Sequence, residues 1–123
     1  MIGYVTLGTN DLARAAKFYD ALLAEIGGKR AMESDRFVSW SAGANSPGVG
    51  IIKPFDGKAA TVGNGMMVAL AVDSQEKVKA LYNKALQLGA KDEGPPGLRF
   101  GNFYAAYFRD LDGNKLNAFY FGG

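Results

Sequence analysis

The sequence contains no cysteine and no histidine. Without cysteine, disulfides, thiolate nucleophiles and cysteine-bound metals are excluded. Without histidine, the chain lacks the commonest metal ligand and the only side chain that titrates near neutrality unperturbed. An excess of one charge is missing too. Fourteen Lys and Arg against 12 Asp and Glu leave a net +2, and the basic residues are scattered. No stripe tracks a phosphate backbone, so no nucleic-acid partner is expected. No apolar run approaches the roughly 18 residues of a membrane span. The opening MIGYVTLGTND has neither a basic region nor a long apolar one, so a cytoplasmic protein with no membrane contact is expected.

What is present is ordinary globular material. The chain has 123 residues, 48% of them hydrophobic and 21% charged, enough to bury a core without staples. Seventeen glycines fall mostly between periodic segments and punctuate short elements. Ile2 to Leu7 alternates and is rich in β-formers, so it reads as a strand. Asp11 is placed to cap a helix. Ala15, Phe18, Tyr19, Leu22, Leu23 and Ile26 then form a stripe with helical period, predicting an amphipathic helix over 11–25. Gly27 and Gly28 stop it.

The second half repeats the pattern. Gly65 to Val72 reads as a strand. Asp73 or Ser74 caps, with Glu76 placed as a capping-box partner of Asp73. Val78, Leu81, Tyr82, Ala85 and Leu86 make the helical stripe, and Gly89 ends it. Val5 to Val68 and Tyr19 to Tyr82 share an offset of 63 residues, an internal repeat. Lys29–Met32, Arg36–Ser41 and Val49–Lys53 follow the first helix as strands. A short Ala90–Lys91 run, Phe103–Arg109 and Lys115–Phe121 follow the second. Asp110 to Asn114 closes the last two as a hairpin, with Gly113 suited to positive φ. Gly48-Val49-Gly50 and Gly63-Asn64-Gly65 read as turns. Glu93-Gly94-Pro95-Pro96-Gly97-Leu98 reads as a loop that could act as a lid.

These elements predict an α+β fold of two βαβββ modules within one domain, 1–123. Residues 1–56 form the first module, 57–64 a linker and 65–123 the second. Pairing the two sheets is expected to close a shared concave surface, a natural place for a ligand. An ordinary sandwich with a solid core is the alternative.

The stretch Thr9-Asn10-Asp11-Leu12 running into Phe18-Tyr19-Asp20, Gly63-Asn64-Gly65, and Phe108-Arg109-Asp110-Leu111-Asp112-Gly113-Asn114-Lys115-Leu116 resemble the vicinal oxygen chelate superfamily. This is the glyoxalase, bleomycin-resistance and dioxygenase group, and the likeness spans nearly the whole chain. The resemblance implies metal ligands on the first, fourth, fifth and eighth strands. Tyr4, Met67 and Asn117 stand where His, His and Glu are usual, and an offset of 66 sets Ile51 opposite Asn117. A phenol loses its proton near pH 10. A neutral thioether suits soft ions, an amide offers only a carbonyl oxygen, and Ile offers nothing. No metal cofactor is therefore expected.

Tyr4, Trp40, Met67, Tyr107 and Asn117 are the candidate ligand-binding residues, with Ser39 the alternative to Trp40 on the third strand. Each could equally fill the core. Arg36, Arg99 and Arg109 could meet an anion, or only solvate the surface. Asp110 and Asp112 could pair as carboxylates, or bond their own turn. The resemblance favours a metal-free protein that holds a small neutral, aromatic or anionic molecule, with a homodimer as its assembly. The alternative is a metal-independent lyase or isomerase with Tyr4 or Tyr107 as acid or base and Asn117 at an oxyanion. Elemental analysis of the purified protein should find no stoichiometric divalent metal. About one chelator-removable ion per chain would contradict the donor-set argument.

Overall fold

Each helix is set by a cap and a stripe, and each covers one face of a four-stranded sheet. The computed structural model describes residues 1–122. It divides into two compact units, Met1–Val62 and the chain from Gly63 onward.

The first unit runs β1 (Tyr4–Gly8), α1 (Leu12–Ala24), β2 (Lys29–Glu33), β3 (Phe37–Ser41) and β4 (Gly48–Ile52). Asp11 is the N-cap of α1, its carboxylate accepting from Arg14 N at 3.1 Å. Gly27 at φ +80° ends the helix, as its position in the sequence implies. The sheet order is β1-β4-β3-β2, with β1 and β4 parallel. Trp40 in β3 donates its indole N–H to Asp20 in α1 at 2.8 Å. That bond identifies the helix-covered face. Val38, Ile51 and Leu7 share it with Trp40 by alternation and register, and all four are buried. Residues 57–62 stay with this unit, where Asn10 accepts from Ala60 N at 2.7 Å and donates to Ala60 O at 3.2 Å.

The second unit runs β5 (Val68–Ala71), α2 (Gln75–Gln87), β6 (Lys91–Phe100), β7 (Phe103–Arg109) and β8 (Lys115–Phe121), in the order β5-β8-β7-β6. The cap of α2 is Ser74, whose hydroxyl accepts from Lys77 N at 3.1 Å. Asp73 instead pairs with Lys77 Nζ, and Glu76 lies near Lys79, so the expected capping box does not form. Gly89 at φ +101° ends the helix. Tyr82 of α2 donates to Asp92 of β6 at 2.9 Å. Asp92 pairs with Phe108, and Phe108 with Leu116, so these mark the helix-covered face. Phe108, Leu116, Ala106 and Ala118 are fully buried there beneath Val78, Leu81 and Ala85. Each buried Phe, Leu or Val side chain among them contributes about 1.5–3 kcal/mol.

Three sequence readings change. Gly48-Val49-Gly50 is not a turn but the start of β4. A β-carbon on Gly50 would lie 2.6 Å from Phe37 Cε2, so glycine here makes room for the Phe37 ring on the cross-strand neighbour. Glu93 to Leu98 is not a free loop but the middle of β6, which pairs with β7 through several register shifts. The bulges absorb the two prolines without ending the strand. The fifth strand is shorter than expected, starting at Val68 rather than Gly65, which sits at φ +102°.

The β7–β8 hairpin matches its expected bounds. Its turn is organised by Asp110, which is buried and accepts from Asp112 N and Asn114 N at 2.9 Å and from Asn114 Nδ2 at 3.0 Å. The two aspartates are therefore not a carboxylate pair with chemistry to do: Asp110 bonds its own turn. Gly113 takes φ +90°. Asp110→Ala strands these donors and should lower the unfolding free energy by about 3 kcal/mol, read as a fall in urea midpoint at unchanged slope.

Candidate functional site

The face of each sheet turned away from its helix is where the candidate side chains are found. In the first unit, Tyr4 and Thr6 lie on that face of β1, opposite Gly48 and Gly50 of β4. Ser39 and Phe37 of β3 share it. Tyr4 is 66% exposed, so it is not a core residue. Trp40 is on the wrong side. It is 1% exposed, packs at 5.7 Å from the Tyr19 ring and bonds Asp20. The strand's period of two then puts Ser39 on the open face and removes Trp40 from the ligand-binding set.

Ile51 is displaced from the set by the same parity. It pairs with Leu7 and Val38, which face α1. The structural counterpart of Asn117 is Gly50. Gly50 lies between Thr6 and Ser39 as Asn117 lies between Ala69 and Tyr107. Counting back from Phe121 misses this by one residue, and a slip of one reverses the face.

In the second unit the open face carries Ala69 and Ala71 of β5, Asn117 and Phe119 of β8, and Tyr107, Ala105 and Phe103 of β7. Tyr107 and Asn117 are direct register partners, as the symmetric hairpin implies. Met67 immediately precedes β5 and is 41% exposed. Asn117 is 1% exposed, and its Oδ1 is buried with no hydrogen-bond partner among the described residues. A buried amide oxygen left in this state costs about 1–3 kcal/mol.

Aromatic rings continue along this face. Phe103 stacks on Phe100 at 4.9 Å and on Phe119 at 5.6 Å, and meets Phe121 edge-on at 5.8 Å. The Tyr107 ring has two cations over it, Arg99 at 5.3 Å and Lys115 at 5.5 Å. Of the other arginines, Arg109 is occupied by Glu93 at 2.6 Å and by Gly113 O at 2.9 Å. Arg36 borders an open cleft of about 580 Å³ in the first unit, where its Nη2 is tied to the carbonyls of Lys53 and Pro54 at 3.0 Å. Sequence reasoning missed the role of Phe103 and its ring partners. The alternation of Phe103, Phe119 and Phe121 about the hairpin turn was the available signal.

The donor chemistry does not fit a divalent cation. Tyr4, Gly50, Met67 and Asn117 offer a phenol, no side chain, a thioether and a neutral amide. Among the described residues no three His, Cys, Asp or Glu side chains come together as a metal group. No helix is long and apolar enough to cross a membrane.

Comparison with known proteins bears on the fold and on kinship. The sequence pattern of the Glyoxalase/Bleomycin resistance protein/Dioxygenase superfamily matches residues 1–118. A crystal structure of a glyoxalase/bleomycin resistance protein from Albidiferax ferrireducens T118 is similar at 36% identity and TM-score 0.89, with 98% of each chain covered. A hypothetical protein from S. aureus is similar at 28% identity and TM-score 0.76, covering 98% of this chain and 92% of that one. A lactoylglutathione lyase from Agrobacterium tumefaciens shares the fold at 19% identity and TM-score 0.72, covering 98% and 92%. No curated protein matches the sequence.

The Trp40 environment makes a pH prediction. Arg30 donates two hydrogen bonds to Asp20, each at 2.8 Å. Chiefly through this contact, and also through the Trp40 N–H, the Asp20 carboxyl is held below its usual range against the opposing effect of burial. A depressed folded-state pKa stabilises above the unfolded value near 4 and is lost as pH falls through the folded one. The stability gap between the wild type and Asp20→Asn should therefore close below about pH 4. Fluorescence of the single tryptophan during urea melts at several pH values reads it.

Proposed function

We propose that this chain, which belongs to the Glyoxalase/Bleomycin resistance protein/Dioxygenase superfamily, is a metal-independent binding protein for a small neutral, aromatic or anionic molecule. The observation that carries this reading is Asn117. It occupies the eighth-strand position where metal-using relatives are expected to hold a carboxylate, and its buried Oδ1 has no partner among the described residues. A buried acceptor beside the Tyr107 ring is suited to an N–H or O–H donor from a ligand once the covering side chains move aside. Met67 and the Phe103 cluster supply apolar contact nearby on their own unit. Tyr4 and Ser39 stand on the open face of the first unit.

The tyrosine-dependent enzyme is the weaker reading. It needs Asn117 to donate to an oxyanion, whereas the side-chain atom enclosed without a partner among the described residues is its acceptor oxygen. A homodimer accompanies the proposal, because each sheet ends in strands with a free edge and two-fold association is the commonest closed arrangement.

Native mass spectrometry against a panel of neutral aromatics and organic anions should show a dimer and at least one retained compound. That compound should raise the melting temperature of the wild type more than that of Asn117→Leu. Without ligand, Asn117→Leu should be as stable as the wild type or slightly more so, because it removes the unpaired acceptor. Met67→Ala, at a half-exposed position, should cost about 1 kcal/mol. A loss on the order of 2–5 kcal/mol would show that Met67 fills a closed core. With Asn117 enclosed as it is, that loss would retire the binding reading.

A further inference from the structure

The second unit holds a feature that the metal-free reading leaves unused. Residues 94–99 of β6 are bent around one guanidinium. Arg99 Nη2 donates to Pro95 O at 2.6 Å. A β-carbon on Gly97 would lie 3.1 Å from Arg99 Nη1. A β-carbon on Gly94 would lie 3.2 Å from both Arg99 Nη2 and Tyr107 Cδ1, and Gly94 adopts φ +156°. The two glycines and the intervening carbonyl thus form a close seat that side chains at 94 and 97 would crowd. Arg99 follows Leu98, whose partner Tyr104 is on the helix-covered face, so alternation puts Arg99 on the open face, where it lies over Tyr107.

The charge brought to this place is not neutralised by the protein. Lys115 reaches the same ring from β8. Of the acidic residues of β6, Glu93 is held by Arg109, the cross-strand partner of Lys115, and Asp92 by Tyr82 and Gly94 N. Neither Arg99 nor Lys115 is paired with a carboxylate among the described residues, and the remaining N–H groups of Arg99 have no partner there. Two cations at one ring, neither paired with a carboxylate among the described residues, make this part of the face locally positive and attractive to an anion. The planar guanidinium, fixed by its seat, matches the geometry of a carboxylate or phosphate. The stacked Phe103 and exposed Phe100 and Phe121 on the same face suit a ring attached to that anion.

We propose that Arg99 and Lys115, converging on Tyr107, form an anion receptor that selects a small aromatic carboxylate or phosphate. This rests on the binding reading above and gives it a ligand class. The test titrates the full-length chain with phenyl phosphate, benzoate and, as the neutral counterpart, benzamide. Both anions should bind, more weakly as salt rises, and benzamide should bind at least about tenfold less well than benzoate. Arg99→Gln and Lys115→Gln should each weaken phenyl phosphate about tenfold or more with unchanged urea melts. Arg36→Gln, in the first unit, should leave affinity unchanged. Gly94→Ala, which crowds the seat, should weaken phenyl phosphate as Arg99→Gln does. If both Gln variants bind phenyl phosphate like the wild type, or benzamide binds as tightly as benzoate, the receptor is overturned while a neutral-ligand reading stands. If neither these probes nor the wider panel binds, both fall.

Discussion

Asp110 gathers the backbone N–H groups of Asp112 and Asn114 and the Asn114 amide into one buried turn, and the register of the β7–β8 hairpin follows from it. Register here is more than alignment. Side chains alternate between a face covered by α2 and a face without a helix, so a slip of one residue would exchange Phe108 with Tyr107 and Leu116 with Asn117. The oily face would lose its core, and the open face would lose its amide and its ring. A buried carboxylate in a five-residue turn therefore governs which face the side chains of both flanking strands take. The first sheet has an analogous tie in the Trp40–Asp20–Arg30 contact, which pins β2 and β3 to α1.

Much of this architecture could be read from the sequence, because its signals are local and redundant. The two helical stripes, the Asp11 cap and the symmetric Phe103–Arg109 and Lys115–Phe121 runs each agree with their neighbours. Misreadings cluster at glycine and proline. Gly50 looks like punctuation, yet it is a strand residue whose missing side chain accommodates Phe37. The Gly94-Pro95-Pro96-Gly97 segment looks like a loop, yet bulges keep it paired with β7. Parity failed at Trp40 and Ile51 because counting cannot detect which face a helix will cover. Tyr107 and Asn117 could be placed from the hairpin alone. The position of Arg99 could not, since the residues before it read as a loop and not as a strand.

Membership of a superfamily with several chemistries sets the scaffold and leaves the reaction open. In this chain the four positions associated with metal binding in the family carry groups that differ in polarity and size. What the open face of the second sheet offers instead is an amide oxygen, a row of rings and two fixed cations. In the proposed binding role these groups would do the recognising without a titrating group near neutrality, which suits a chain without histidine.

The contact between Gly50 and Phe37 also constrains how this lineage can change. The Phe37 ring already occupies the space that any side chain at position 50 would enter, within 2.6 Å of where its first carbon would sit. A single exchange of Gly50 for a carboxylate meets that ring before it meets any ion. A ligand at this strand thus requires Phe37 to shrink or swing aside, which disturbs packing and confers no coordination by itself. The neighbour on β3, and not only the identity of residue 50, keeps a donor out of this place.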